Sequence, residues 1–290
     1  MEIFRQAANP WGEQVLIGIG WALMWAAIVA GALFLVVHAA LAARSRSAAK
    51  NGAAAGVAQA GVPPRIVRHS IGARAFHWTM ALAMLALLVT AFVPAMGYKF
   101  DWVTIHWIAG LALIATVIYH IVHAVFWQSL RNVWIDGADV REGMQELSRF
   151  TGGGKAPPRK PGKYPVAQKL FHHAAAVAAL AAIVTGVLMM FRIENPVLRH
   201  NPYLMGDGTW GFVYVLHGLG GVALITLVIT HIYFAIRPEK RWLTRSMFKG
   251  WITREEYLAN HDVERWKVGE GGAAGRGGEG VPAAPAVAGD

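Results

Sequence analysis

Five stretches of this chain are long and apolar enough to cross a lipid bilayer, which restricts it to a bundle of helices built in hydrocarbon. They run over about 14–43, 75–96, 104–127, 168–191 and 211–236, here called stretches A to E. A hydrocarbon core about 30 Å thick offers no water to backbone groups, so each stretch must satisfy its own hydrogen bonds as a helix. The composition agrees: 55% of residues are hydrophobic and 15% charged, where a globular chain has about a quarter charged. The expected fold is all-α and integral to the membrane, with a four-helix bundle from B to E and one extra N-terminal transmembrane helix.

The connecting segments sort by charge. Lys and Arg number six in 44–74, eight in 128–169 and eight in 237–267, against one in 1–13, one in 97–103 and two in 192–210. Basic loops stay cytoplasmic, so five helices put the N-terminus in the periplasm and the C-terminus in the cytoplasm of a bacterial inner membrane. The same distribution explains the net charge of +10 without nucleic acid, because the cations sit in loops beside apolar runs. Stretch A reads as an uncleaved helix. It lacks a basic leader, and its apolar run far exceeds the roughly 7–15 residues of a signal peptide.

The expected organisation is therefore an N-terminal segment with the extra helix (1–43) and an Ala/Gly-rich cytoplasmic linker (44–74) carrying Arg44, Arg46 and Lys50. The four-helix domain follows (75–236), interrupted by a polar loop at 128–167 whose GGGKAPPRKPGK run is not helical throughout. Residues 237–267, with Trp242, Trp251 and Trp266, read as a basic amphipathic segment against the membrane surface. Residues 268–290 are rich in Gly, Ala and Pro and read as a disordered tail.

The chain has no cysteine and twelve histidines. That excludes disulfides, cysteine-held iron–sulfur clusters and covalent c-type haem, and leaves imidazole as the abundant ligand for a redox metal. His217 and His231 lie fourteen residues apart on stretch E. At about 100° and 1.5 Å per residue, their rings return to within roughly 40° of one face, roughly 21 Å apart along the axis. Titratable side chains in hydrocarbon are costly and call for partners. A haem at each level meets that geometry. Depth pairs His106, near the outer end of C, with His217, and His77, near the inner end of B, with His231. Each pair would clamp the iron of one haem b. Gly218, Gly220 and Gly221 leave room for a flat macrocycle or, equally, for close helix packing. His120 competes for the inner site, because it too lies fourteen residues after His106. Helices C and E alone would then hold both haems, the plan of the cytochromes b of quinol-oxidising respiratory complexes. Spacing leaves His77 and His120 open.

A wider set of motifs bears on that choice. RAFHWT with His77, IHWIAG with His106, GKYPVAQK at 162–169, VLHGLGG with His217, ITHIYFAI with His231 and the following RSMFKGWITREEYLANH occur in this order. Together they resemble the gamma subunit of membrane-bound formate dehydrogenases, the dihaem cytochrome b of formate dehydrogenase-N type, over roughly residues 66–267. The resemblance implies an outer haem on His106 and His217 and an inner haem on His77 and His231, since that family has no ligand at the position of His120. It also implies reduction of menaquinone or ubiquinone beside the inner haem. Gln168 matches a family glutamine near the quinone, whereas Pro165 stands where the family has asparagine. His172 is a candidate for the quinone site with Gln168, and it and His173, one turn further on, are candidates to supply or relay protons or plain interfacial residues. His120 and His123 then read as inner-interface residues near a haem propionate or a proton path. Stretch A has no counterpart in the four-helix core and reads as an added packing helix.

The resemblance implies partners as well. Lacking cysteines and a nucleotide fold, the chain does not itself oxidise formate. A molybdenum- or tungsten-containing catalytic alpha subunit and an iron–sulfur beta subunit would feed electrons to the outer haem, and the inner haem would pass them to quinone, which takes protons from the cytoplasm. The chain thus reads as the membrane anchor and electron-transfer subunit of a respiratory complex, in contact with lipid. Two alternatives remain: the same bundle serving a thiosulfate reductase or nickel–iron hydrogenase, and a non-redox transporter with histidine ligands. Transporters carry acidic groups near the midplane, but Asp101, Glu194 and Asp207 all fall in outer loops.

Overall fold

The computed structural model describes residues 2–48, 62–127, 130–150 and 160–268. Five long helices form where apolar runs carry no internal proline: α1 (Trp21–Ala48), α2 (Ile71–Phe92), α3 (Trp102–Trp127), α5 (Val166–Met189) and α6 (Asp207–Ile236), with a shorter α4 (Gly137–Phe150) between the third and fourth of these. Proline marks several limits, as suits a residue without a backbone donor: Pro94 follows α2, Pro165 caps α5 and Pro238 follows α6. Ser70 opens α2, its Oγ accepting from the Ala73 amide at 3.1 Å.

Each long helix contains a span that can cross a membrane by length and composition. Their outward faces stay apolar: Leu82, Leu85, Ile118, Val177 and Leu180 are all more than half exposed. Helices apolar all round are at home in hydrocarbon, not water, and the protein is a multi-pass membrane protein. Within the bundle α2 packs along α3 and α5 along α6, while α1 lies outside the four against α6. Leu88, Ala178 and Leu224 meet at the centre, with Met84, Phe92 and Ala182 packed around them. A side chain at Gly220 would press on Ala178 and Ala182 at 3.4 Å, so that glycine serves close packing of α5 on α6.

The N-terminus departs from the expected helix beginning near residue 14. Phe4–Ala8 (β1) and Gln14–Ile19 (β2) pair as an antiparallel hairpin instead. Gly20 ends it, donating its N–H to Ile3 O at 2.7 Å. A Cβ there would stand 2.1 Å from Glu2 O, which only glycine avoids. The apolar residues of β2 cover α6 and do not span: Leu16 rests on Gly211 and Ile19 on Gly218.

The end of the bundle that carries the basic loops also differs from expectation. The expected linker 44–74 contains the end of α1, a strand β3 (Arg65–Val67) and the start of α2. β3 pairs with β4 (Trp251–Thr253), and α7 (Arg241–Lys249) and α8 (Arg254–Asn260) flank them. Ile66, Ile252, Tyr257 and Trp266 form a small closed core. Arg68, 2% exposed, donates to Lys163 O and His261 Nε2, both at 3.1 Å. Three aromatic rings, Tyr164, Trp242 and Trp266, lie 5.4–5.5 Å from its guanidinium carbon, within cation–π range. Burial, helped by Arg68, pushes the His261 pKa down to about 4. The neutral ring accepts at Nε2 and donates from Nδ1 to Gly162 O at 2.7 Å. Trp242 and Trp266, expected against the membrane, are thus turned inward, and Trp251 is covered by Arg65 at 4.4 Å.

The expected polar loop 128–167 holds α4. Asp139, 1% exposed, pairs with Lys169 of α5 at 2.6 Å, and Lys169 Nζ also donates to Trp134 O at 3.0 Å. Removing one partner of so buried a pair costs about 3–5 kcal/mol, because it strands a charge. Residues 49–61 of the expected linker, 151–159 with most of the glycine-rich run, and 269–290 of the expected tail lie outside the described residues.

Candidate cofactor site

Two histidine pairs cross the bundle at different depths. His106, in the second turn of α3, faces His217 of α6 with ring centroids 6.1 Å apart and planes at 72°. Both rings are anchored from behind. Thr90 Oγ1 donates its one hydrogen to Ala86 O at 2.7 Å, so its oxygen is left to accept from His106 Nδ1, also at 2.7 Å. Thr185 repeats the device: it donates to Ala181 O at 2.6 Å and accepts from His217 Nδ1 at 3.0 Å, with Ala182 O a second acceptor at 3.1 Å. A proton held on Nδ1 leaves the Nε2 lone pair for a metal. A Cβ on Gly186 would come 3.2 Å from His217 Cε1, so that glycine makes the room beside the ring.

Nearer the basic end, His77 of α2 faces His231 of α6 at the same 6.1 Å, with planes at 53°. Here aromatic rings do the holding. Phe171 stacks on His231 at 5.3 Å and Trp78 stands edge-on to His77 at 5.2 Å. Among the described residues neither imidazole has a hydrogen-bond partner, and His231 is the more exposed of the four rings.

An iron bonded to two facing imidazoles at about 2 Å each, the usual metal–imidazole length, would hold the ring centroids roughly 6 Å apart. Both pairs have that separation, and the imidazole donors suit haem b. His120 and His172 also come within 6.0 Å, but His172 is exposed and Phe76 lies flat on His120 at 4.3 Å. His173, 5.6 Å from His172, donates from Nδ1 to Lys169 O at 2.8 Å, and His123 is stacked between Tyr119 and Trp127. Gln168 sits half-buried in the first turn of α5. Among the described residues no group of three or more His, Cys, Asp or Glu is gathered to hold a metal ion.

A sequence model for prokaryotic cytochrome b561 matches residues 68–250, from the buried Arg68 through all four bundle helices to the end of α7. The chain belongs to the prokaryotic cytochrome b561 family. Haem b is therefore the cofactor its bundle is made for. The formate dehydrogenase cytochrome b556 subunit of Haemophilus influenzae is 25% identical over 223 residues, 70% of this chain and 82% of that protein. The N-terminal hairpin and α1 precede the region of the family match.

Thr90, Thr185, Gly186 and Phe171 escaped the sequence reading. The threonines left a faint signal, since each is a polar residue inside an otherwise apolar run, and both are buried at 2–3% exposure.

Proposed function

We propose that the chain is the membrane cytochrome b subunit of a formate dehydrogenase, holding one haem b between His106 and His217 and another between His77 and His231. The observation that carries this reading is the shared helix. α6 presents two histidines fourteen residues apart, and each meets its partner, from a different helix, at 6.1 Å. Similarity to a formate dehydrogenase cytochrome subunit supports the choice of complex. The same ring contacts support His77, not His120, as the partner of His231.

Bound there, the two haems supply one-electron sites at two depths, linking an iron–sulfur beta subunit and a molybdenum or tungsten alpha subunit in the periplasm to quinone on the cytoplasmic side. The protein's own share is position and potential. Thr90 and Thr185 fix the tautomer and direction of two ligands, and Phe171 holds a third. The Lys/Arg bias of the loops supports a basic end in the cytoplasm and an N-terminus in the periplasm of a bacterial inner membrane. Gln168 and His172, at the basic end of α5, are the residues we assign to the quinone headgroup. His120 and His173, whose rings lie 6.0 and 5.6 Å from His172, would hand on protons from the cytoplasm.

The test is a reduced-minus-oxidised spectrum of the complex purified through this chain, with formate as the reductant. A b-type α-band that grows on adding formate is the expected result. Bands that respond to hydrogen but not to formate would assign the subunit to a different enzyme, and zinc in place of iron would end the haem reading.

A further inference from the structure

The hairpin β1–β2 is extra to the region matched by the family, yet it is built onto the outer histidine pair. Asn9 Nδ2 donates to Asp207 Oδ2 at 3.2 Å and ties the hairpin to the first turn of α6. Ile19 sits against Gly218, the residue after His217; a Cβ on that glycine would lie 3.0–3.2 Å from three Ile19 carbons. Beneath the hairpin is a cavity of about 230 Å³ whose walls include Ala95, Met189, Tyr214, His217 and Gly218. Its wall is mainly apolar, and the cation in it is Arg5 of β1. Arg192, close by, is taken up by the faces of Trp210 at 5.1 Å and Tyr214 at 5.8 Å. Glu2 shares with Arg5 only the adjoining hollow toward Trp25.

A half-open cavity reaching one proposed iron ligand, walled on one side by an added element and furnished with a guanidinium at its mouth, suits an anionic group on the edge of the cofactor. Haem b carries two carboxylates on such an edge. A carboxylate in an apolar cavity is costly unless it is paired, and guanidinium is the side chain best shaped to pair with it. The geometry points to the N-terminal hairpin as a cap over the outer haem, with Arg5 as the contact for a haem propionate. This rests on the assignment of His106 and His217 as the ligands of that haem.

A positive charge beside the haem favours the ferrous state, which carries one positive charge fewer. The test is a spectroelectrochemical titration of the full chain in detergent, comparing wild type with Arg5→Gln, Arg5→Glu and Arg5→Lys. Haem content is measured first, and His106→Ala marks which midpoint belongs to the outer haem. With two haems per chain, Arg5→Gln shifts the outer midpoint to more negative potential, Arg5→Glu shifts it further, and Arg5→Lys stays near wild type. The shift shrinks as salt is raised, since Arg5 is exposed. The inner midpoint holds still. Two haems with both midpoints unmoved in Arg5→Gln would overturn the cap while leaving the ligand assignment standing. Fewer than two haems in the wild type would overturn the assignment beneath it.

Discussion

Thr90 and Thr185 hold the rings of His106 and His217 by hydrogen bonds at 2.7 and 3.0 Å, whereas His77 and His231 are held by the rings of Trp78 and Phe171. Both pairs share α6 and a 6.1 Å separation, so the helix sets the spacing and the surroundings set the character of each site. The hydrogen-bonded pair is fixed in tautomer and direction before any metal arrives. The stacked pair is fixed in plane only. Hydrogen bonds to Nδ1 also make an imidazole a stronger donor to iron, so on the proposed reading the two haems are expected to differ in potential, with the one between His106 and His217 drawn downward.

The difference can be broken in graded ways. The largest effect belongs to the ligands on the shared helix: His217→Ala and His231→Ala each lose one haem of two, and the double variant loses both, as read by haem absorbance per chain. A smaller effect is specific to the outer pair. Thr185→Val removes one of the two acceptors of His217 Nδ1, leaving Ala182 O at 3.1 Å, and weakens haem retention by about tenfold, the low end of the usual cost of losing such support. Its outer midpoint rises, and Thr185→Ser restores it. Phe171→Ala acts on the inner pair alone. Losing one aromatic contact costs about 0.5–1.5 kcal/mol, so inner-haem retention falls by no more than about tenfold while the outer haem is untouched.

The mildest probe separates the two ends of the molecule by pH. His261 is held neutral in the fold, with its pKa near 4 against 6.5 for a free histidine, because burial and then Arg68 oppose its charge. The unfolded segment therefore binds the proton first, and ν_U exceeds ν_N between these values. The stability of the Arg68–Trp266 cluster is full above about pH 6.5 and is lost as pH falls through about 4. Protection of the amides in 251–266, taken relative to their intrinsic exchange at each pH, should fall on acidification across that window. His261→Gln flattens the dependence.

Long apolar runs made the five helices legible, and fourteen-residue spacing on α6 made two levels of histidine legible. What was hidden has physical reasons. The hairpin strand Gln14–Ile19 is apolar because it covers α6, and apolar periodicity alone does not separate it from the helix that follows at Trp21. α4 is polar overall, and its place depends on Lys169 meeting Asp139 across thirty residues. Arg68 looked like one more basic loop residue. Its burial among Tyr164, Trp242 and Trp266 joins segments far apart in the chain, which local patterns do not report. Spacing left His77 and His120 open, since both are at plausible depths; the motif resemblance implied His77, and its 6.1 Å approach to His231 supports that reading.

The central claim is that α6 is the common wall of two haem sites whose other walls are α2 and α3. Pyridine haemochrome quantitation of purified wild type, His77→Ala and His120→Ala tests it most directly. The account predicts two, one and two haems per chain. Two haems in His77→Ala with one in His120→Ala would contradict it and place both haems between α3 and α6.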